Sequence, residues 1–519
     1  MKYRWYSVVV AATFLLSMLA SPMAAGAGSA PNALPFRPVN PNYQAIKAAV
    51  DAKARAQDAR DAADPLDSEA EDQTSNALAQ APTAVLKWKG LGPNGFSPSD
   101  ARGAIGTSEY IETVNTGVGV YDRSGNLLSS NTQATWTGFP DAEGDADIVW
   151  DNDQQRFFAS MLNIGSTYTL IFGFSKGSSP SAAASDWCFY SSDFGGRYGT
   201  NLPDYPKLGM TKDFLLVGVN VFRNAQTFIG SDVAWVVKPA KGTITTCPAG
   251  TSFTVGVHPN LKNADGTDAT TPVPANLVDP SDIGYVVANE DPNGGTSTDL
   301  TLFTVTDVLG AAPIFSAPKT VTVPAYAYPP SAPQPGTTKT LDTLDGRLMN
   351  AVAAIDPTNN SGKVAVWTQH TVQASAGGKG SEVRWYEIDG ATGNLVQKGI
   401  AQHPHQYTFM GAVSPDRNGM SGSFGGNMVL VFNTSSTKRV PTARMVSKVG
   451  GNAQSGYVKV KASTAVDNDF SCTPVCRWGD YSGATPDPAS TTAGRVWASV
   501  MLSKSGSPGW TTENWAATP

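Results

Sequence analysis

The sequence predicts an all-β chain folded as a seven-bladed β-propeller. Three observations carry that prediction. A short apolar run introduced by a polar or glycine-containing cluster starts afresh seven times, at starts roughly 40 to 80 residues apart, the spacing of four-stranded blades with loops of uneven length. Between the starts lie runs of about 5 to 9 residues rich in β-branched and aromatic side chains, such as Phe214-Leu-Leu-Val-Gly-Val-Asn-Val-Phe and Met428-Val-Leu-Val-Phe, bounded by Gly, Pro, Asn and Asp. Charged residues make up only 15% of the chain, so its polarity comes from hydroxyls and amides, as in turn-rich exported β proteins.

The seven starts are Arg102-Gly-Ala-Ile, Gly144-Asp-Ala-Asp-Ile-Val-Trp, Asp204-Tyr-Pro-Lys-Leu-Gly-Met, Asp282-Ile-Gly-Tyr-Val-Val, Gly346-Arg-Leu-Met-Asn-Ala-Val, Tyr407-Thr-Phe-Met-Gly-Ala-Val and Trp478-Gly-Asp-Tyr-Ser-Gly. Two turns repeat as well. Tyr121-Asp-Arg-Ser-Gly-Asn-Leu and Ile388-Asp-Gly-Ala-Thr-Gly-Asn-Leu each follow a strand with Asp and then Gly-Asn, a bulged hairpin in which glycine takes positive φ. They fall in the first and fifth blades and point to internal duplication. Two stretches read as insertions, His258 to Asp279 and the Pro-rich Ala311 to Gly336.

The propeller domain is expected over residues 86–519. Ahead of it, Lys2 and Arg4 precede the apolar run Val8 to Leu19 and the small residues Met23-Ala-Ala-Gly-Ala-Gly, which reads as a signal peptide over residues 1–27. Its removal loses two cations, so a net charge of −6 becomes −8. Residues 28–85 read as a low-complexity linker or pro-segment. Within them, Gln44-Ala-Ile-Lys-Ala-Ala-Val-Asp-Ala-Lys-Ala-Arg favours helix, but its apolar face is mostly alanine and promises little buried area. No later segment approaches the roughly 20 apolar residues of a membrane span. Lys and Arg are scattered rather than clustered, which argues against nucleic acid. The expected location is extracellular or periplasmic, and the expected partner an extracellular polysaccharide or protein.

Four cysteines in an exported chain read as two disulfides, Cys188–Cys247 as a long staple and Cys472–Cys476 as a clasp around Thr-Pro-Val. No second cysteine pair or nearby histidine completes a zinc tetrahedron, so no metal site is assigned to them. The common signatures of metalloproteases, serine hydrolases and nucleotide-binding loops do not occur.

Several phrases resemble a group of secreted bacterial β-propeller proteins distantly related to the sialidase-like, BNR-repeat superfamily. They are Gly106-Thr-Ser-Glu-Tyr-Ile-Glu-Thr-Val-Asn, Val149-Trp-Asp with Arg156-Phe-Phe, Asp204-Tyr-Pro-Lys-Leu-Gly, Asp345-Gly-Arg-Leu-Met, Val383-Arg-Trp-Tyr-Glu, Phe409-Met-Gly-Ala-Val and Arg477-Trp-Gly-Asp-Tyr-Ser. The resemblance implies a secreted propeller and assigns no reaction. Ser191-Ser-Asp-Phe-Gly-Gly-Arg-Tyr also fits a degenerate Asp-box, in which Asp193 would accept backbone N–H bonds and Tyr198 would pack below. The arginine triad, tyrosine nucleophile and acid of true sialidases do not map onto this chain residue by residue.

In a propeller the residues just before each innermost strand converge on one face of the channel. The candidate catalytic residues are therefore Asp480, Tyr481 and Arg347, joined by His370, which alternates with Val364, Val366, Thr368 and Val372 along one strand face and is taken as a channel-facing acid or base. The candidate ligand-binding residues are Asp145, Asp147, Asp204, Tyr205, Lys207, Tyr407, Arg477 and Trp478, with Asp345 and His405 nearby. Aromatic faces suit pyranose C–H surfaces, while Asp and Arg suit hydroxyls or uronates. Paired carboxylates suit acid–base work on a glycosidic bond. The expected function is therefore binding of, or action on, extracellular glycans, as a glycoside hydrolase or polysaccharide lyase if catalytic; the alternative is a non-catalytic adhesion propeller. His403-Pro-His405 lacks a third ligand, His258 is assigned no role, and Ca2+ held by channel carboxylates is the one cofactor that the composition suits.

Overall fold

The computed structural model describes residues 32–33, 35–61, 79–308, 312–419, 424–490 and 494–519. The expected signal peptide lies outside them. Among the described residues, seven sheets of four or more strands follow one another along the chain. Their innermost strands are Arg102–Ile105, Asp147–Asp151, Asn201–Met210, Ala269–Pro274, Leu348–Asp356, Tyr407–Pro415 and Gly483–Pro486, here numbered blades 1 to 7. The chain is a seven-bladed β-propeller.

Six of the seven sequence starts lead into these innermost strands. The exception is blade 4, where the run from Asp282 forms the second strand, Ile283–Glu290. The innermost strand, Ala269–Pro274, lies inside the stretch read as the insertion His258 to Asp279. Its sequence ATTPVP carries two prolines, and its pairing with Ile283–Glu290 is broken between Thr270 and Val273. Proline removes ladder donors, so the strand hides from a reading based on continuous β-formers. The second presumed insertion likewise contains Lys319–Tyr326, an outer strand of blade 4.

Blades pack face to face, so their middle strands are buried on both sides. Phe214–Arg223 is buried along nine of its ten positions, which explains why it reads as a continuous apolar run rather than an alternating one. Each fully buried Val, Leu or Phe there contributes about 1.5–3 kcal/mol. At Gly218 the blades approach backbone to backbone: a Cβ would stand 2.0 Å from the Pro272 carbonyl of blade 4. Both repeated turns form as expected, with Asp122 Oδ1 accepting from the N–H groups of Ser124 and Asn126, and Asp389 Oδ1 from those of Ala391 and Thr392.

The ring closes through the chain's own early residues. Thr83–Lys89 is the outermost strand of blade 7, antiparallel to Trp510–Thr518. Trp88 reaches from that strand to Tyr110 and Tyr121 of blade 1 and to Trp497 of blade 7, at ring centroid distances of 5.4, 5.8 and 5.6 Å. Both disulfides are present as paired from the sequence, Cys188–Cys247 joining blade 2 to the segment after the third strand of blade 3, and Cys472–Cys476 preceding blade 7.

The segment 28–85 is not uniform. Its helix α1, Tyr43–Asp61, is seated on the propeller by charged side chains rather than by an apolar stripe. Lys47 Nζ donates to Pro329 O (2.5 Å) and Thr343 Oγ1 (3.0 Å). Asp51 accepts from Ser331 N (2.7 Å) and Oγ (2.9 Å), and Asp58 from Tyr407 Oη (3.0 Å).

Candidate functional site

In every blade a residue with positive φ stands in the run entering the innermost strand: Asp100 (49°), Asp145 (52°), Tyr205 (57°), Thr271 (48°), Gly346 (84°), Met410 (52°) and Gly479 (48°). For a non-glycine residue this conformation costs roughly 1–2 kcal/mol, so the fold sustains it repeatedly against strain. Two residues beyond each of them come Arg102, Asp147, Lys207, Val273, Leu348, Ala412 and Tyr481. The polar members of this series belong to blades 7, 1, 2 and 3, which are consecutive around the ring, while blades 4 to 6 place apolar residues there. At this position in each blade the channel is therefore lopsided, and blade 5 adds to the mouth Asp345 and Arg347, which stand just before it.

Contacts bear out that arrangement. Arg102 grips Asp147 through two parallel bonds, Nε to Oδ1 (2.8 Å) and a terminal nitrogen to Oδ2 (2.7 Å), the bidentate geometry that a guanidinium favours. Lys207 is fully buried, with its Nζ 2.9 Å from the Tyr481 ring centroid and 3.5 Å from that of Tyr205. Among the described residues that amine has no hydrogen-bond partner. Burial, reinforced by the Arg102 cation, holds its pKa well below that of an ordinary lysine.

Carboxylates surround this core. Tyr481 Oη donates to Pro206 O (3.0 Å) and to Asp145 Oδ2 (3.2 Å), and Tyr205 Oη donates to the Asp480 carbonyl (2.8 Å). Burial, then repulsion from Asp204 and Asp480, pushes the Asp145 carboxyl up to about 7. Asp100 is raised well above the carboxylate range by burial and by Asp480 and Asp145; neither of its oxygens has a hydrogen-bond partner. Burial also raises Asp480, against the pull of Arg477, and leaves its Oδ1 unpartnered. Asp204 is raised by burial, with Arg37 and Arg347 opposing.

The arginines at the mouth are already paired. Arg347 holds Asp345 through Nε (2.7 Å) and a terminal nitrogen (2.8 Å), and Arg477 bonds Asp342 (2.6 Å) and Asp480. Asp480, Tyr481 and Arg347 meet around Tyr205, whose ring lies 4.7 Å from the Arg347 guanidinium and 5.0 Å from the Tyr481 ring.

Other sequence candidates lie elsewhere. His370 is buried one register step below Arg347, opposite Leu348, with Nδ1 2.9 Å from Gly346 O and Nε2 3.0 Å from Tyr386 Oη. Burial lowers its pKa to about 3, so it is neutral at physiological pH. Trp478 is fully buried, its indole N–H directed to Asn433 (3.3 Å), and it packs in the core with Phe409. Tyr407 faces helix α1 through Asp58. His405 N donates to His403 Nδ1 (3.0 Å), and His258 stacks on Phe315 at 4.2 Å. In the Asp-box-like turn Tyr198 is buried, but Asp193 is exposed, and Tyr198 N donates to the Asp193 backbone carbonyl.

Sequence reading missed Asp100 and the N-terminal cover. Arg37 donates to Asp204 (3.0 Å), and Phe36 lies against the guanidiniums of Arg347 (4.5 Å) and Arg477 (5.4 Å). A cavity of about 400 Å³ lies between α1 and the mouth, lined by Phe36, Tyr43, Lys47, Asp51, Asp342 and Arg477 among others. A second of about 390 Å³ flanks the opposite side of the helix, against Tyr407 and Lys379. The cover is thus held by a few polar contacts between two gaps.

Among the described residues no three carboxylates bring ligand oxygens within 4.8 Å of one another. Among the described residues, the group of three ligating atoms that comes within 4.8 Å is Asp467 with Cys472 and Cys476, whose sulfurs are joined in a disulfide. No described helix is long and apolar enough to cross a membrane.

No protein-family model matches this chain, and no curated protein does. Solved structures do. The parainfluenza virus 5 hemagglutinin-neuraminidase is 10% identical, covering 74% of this chain and 94% of its own, with a TM-score of 0.39. The phage phi92 endosialidase is 7% identical, covering 70% and 65%, at 0.37. A Synechocystis apocarotenoid oxygenase is 10% identical, covering 69% and 71%, also at 0.37. At these identities the likeness is one of fold.

Proposed function

We propose that this is an exported propeller that takes an extracellular glycan at the mouth of its central channel. The observation that carries the reading is the Tyr205–Lys207–Tyr481 sandwich ringed by Asp100, Asp145 and Asp480, several of whose polar atoms are buried without protein partners. Buried unpaired polar atoms cost about 1–3 kcal/mol each, a cost that a hydroxyl-rich ligand would offset. The two tyrosine rings suit sugar C–H faces. Two disulfides and a signal-like start support export to an oxidising compartment.

In a catalytic form of this reading, Asp145 is the general acid or base, since its carboxyl titrates near neutrality, and Tyr481 is its hydrogen-bonded neighbour. Asp480 and Arg347 then position the ligand. The test opens the cover with Phe36→Ala/Arg37→Ala and screens bacterial, algal and plant polysaccharides for binding and for new reducing or unsaturated ends. Asp145→Asn should abolish new ends while binding persists; unchanged turnover would remove Asp145 from the catalytic set.

A non-catalytic binding propeller is the second reading. It is favoured by the arginines at the mouth, each already held by an aspartate of the propeller. Binding without new ends would establish it, and silence toward every glycan would transfer the site to a protein partner.

A further inference from the structure

Each propeller arginine at the mouth is matched by a propeller aspartate: Arg102 by Asp147, Arg347 by Asp345, Arg477 by Asp342 and Asp480. Three carboxyls remain without a hydrogen-bonded cation from the propeller: Asp100, Asp145 and Asp204. Among the described residues Asp204 alone of the three has one, and it comes from outside the ring, from Arg37 of the covering segment. Arg37 also offers its backbone carbonyl to Arg347 (3.2 Å), while Phe36 blankets the guanidiniums. The mouth thus carries more buried carboxyls than guanidiniums, each guanidinium already paired, and its remaining cation-forming group, the Lys207 amine, is shut between the Tyr205 and Tyr481 rings.

That imbalance selects for positive charge. A uronate or other acid sugar would have to break an Arg–Asp pair and leave a buried carboxylate behind without its partner. A protonated amine would instead find Asp204, the carboxylate that Arg37 now holds. From this, resting on the glycan reading above, we infer that the mouth is specific for glycans bearing free amino groups, glucosamine-type residues without an N-acetyl group, and that Arg37 occupies the place of the ligand's ammonium until the ligand displaces it. Asp204 is the recognising carboxylate, and Tyr205, next in the chain, presents its ring beside it.

The experiment uses the full chain, its Phe36→Ala/Arg37→Ala form and Arg37→Gln, each checked for native far-UV dichroism, and titrates them calorimetrically at pH 6. The probes are a glucosamine hexamer, the matching N-acetylglucosamine hexamer, a galacturonate hexamer and hexalysine. The glucosamine hexamer should bind the opened forms at least tenfold more tightly than it binds the unaltered protein, and at least tenfold more tightly than the N-acetylated hexamer binds. Asp204→Asn in the opened background should remove most of that preference. Equal binding of the N-acetylated hexamer, or tighter binding of galacturonate, overturns the amine specificity and leaves the glycan reading standing. Hexalysine binding without glucosamine binding assigns the carboxylates to a basic peptide and overturns both, as does failure of every sugar. Should the double variant misfold, Arg37→Gln alone carries the comparison, because it removes the competing charge and keeps the side chain's length.

Discussion

Lys207→Met separates a ligand-facing amine from a structural one. The lysine bears the cost of burial: its Nζ is buried, unpartnered among the described residues and pressed between two tyrosine faces. An unsatisfied buried polar atom is worth about 1–3 kcal/mol of destabilisation. Burial disfavours the charged form, and with it the about 0.5–2 kcal/mol that a charged amine gains over aromatic rings. Methionine keeps the length, removes the polar atom and adds sulfur–aromatic contact worth about 0.3–1.5 kcal/mol. The net expectation is stabilisation by about 1–2 kcal/mol together with loss of ligand binding in the opened protein. For a propeller of about 430 residues, an unfolding entropy of about 2.1 cal/mol/K per residue makes 1 kcal/mol only about 1 °C in Tm. Guanidinium unfolding followed by the emission of the 12 tryptophans is therefore the assay of choice. A loss of more than about 2 kcal/mol would refute the reasoning, because it would make Lys207 a structural tie.

Three further predictions follow from the same geometry. The Asp145 carboxyl sits at about 7 in the folded protein against an ordinary 3.8, so the folded state holds a proton that the unfolded state releases between those values; stability from this group falls as pH rises from about 4 to 7 and is flat above. Asp145→Asn should flatten that slope, which denaturation midpoints at pH 4, 5.5 and 8 would show, and an unchanged slope would rule Asp145 out as its source. Trp88→Ala should cost about 2–3 kcal/mol, less than for a fully buried tryptophan, and should loosen blade 7 first, seen as faster amide exchange in Thr83–Lys89 than in blade 3. Replacing Cys188 and Cys247, 59 residues apart, by serine should cost about 4 kcal/mol on the loop-entropy account, against about 2 kcal/mol for the pair separated by 4, read from paired unfolding curves.

What the sequence revealed and what it hid follow the same physics. Blade starts were legible wherever an innermost strand was a run of β-formers, and they failed at Ala269–Pro274, where prolines and a positive-φ threonine interrupt the pattern. Asp145, Asp204, Tyr205, Lys207, Arg347, Asp480 and Tyr481 were findable because each lies at a strand entrance, and those entrances meet at one end of the ring. Trp478 was drawn in by its place at a blade start and His370 by its strand-face alternation; which way a side chain points from a strand depends on register, which a bulge shifts by one. The docking of α1 was missed for another reason. Judged by apolar area its face is weak, yet Tyr43, Lys47, Asp51 and Asp58 recur at helical spacing and form a single stripe. A search for periodic charge rather than periodic hydrophobicity would have found it.

The closure of blade 7 sets an order of events in time. Residues Thr83–Lys89 precede their partner Trp510–Thr518 by some 420 residues, so wherever the chain emerges end-first the early strand appears well before its partner. Until then the early strand is an unmatched template open to any passing chain. Lys87 and Lys89, both exposed in the strand or at its end, are the kind of charge that discourages such encounters. The ring is consequently a late acquisition: six blades can be assembled while the seventh still waits, and the channel mouth, built from blades 7, 1, 2 and 3, comes into being only when the last strand arrives.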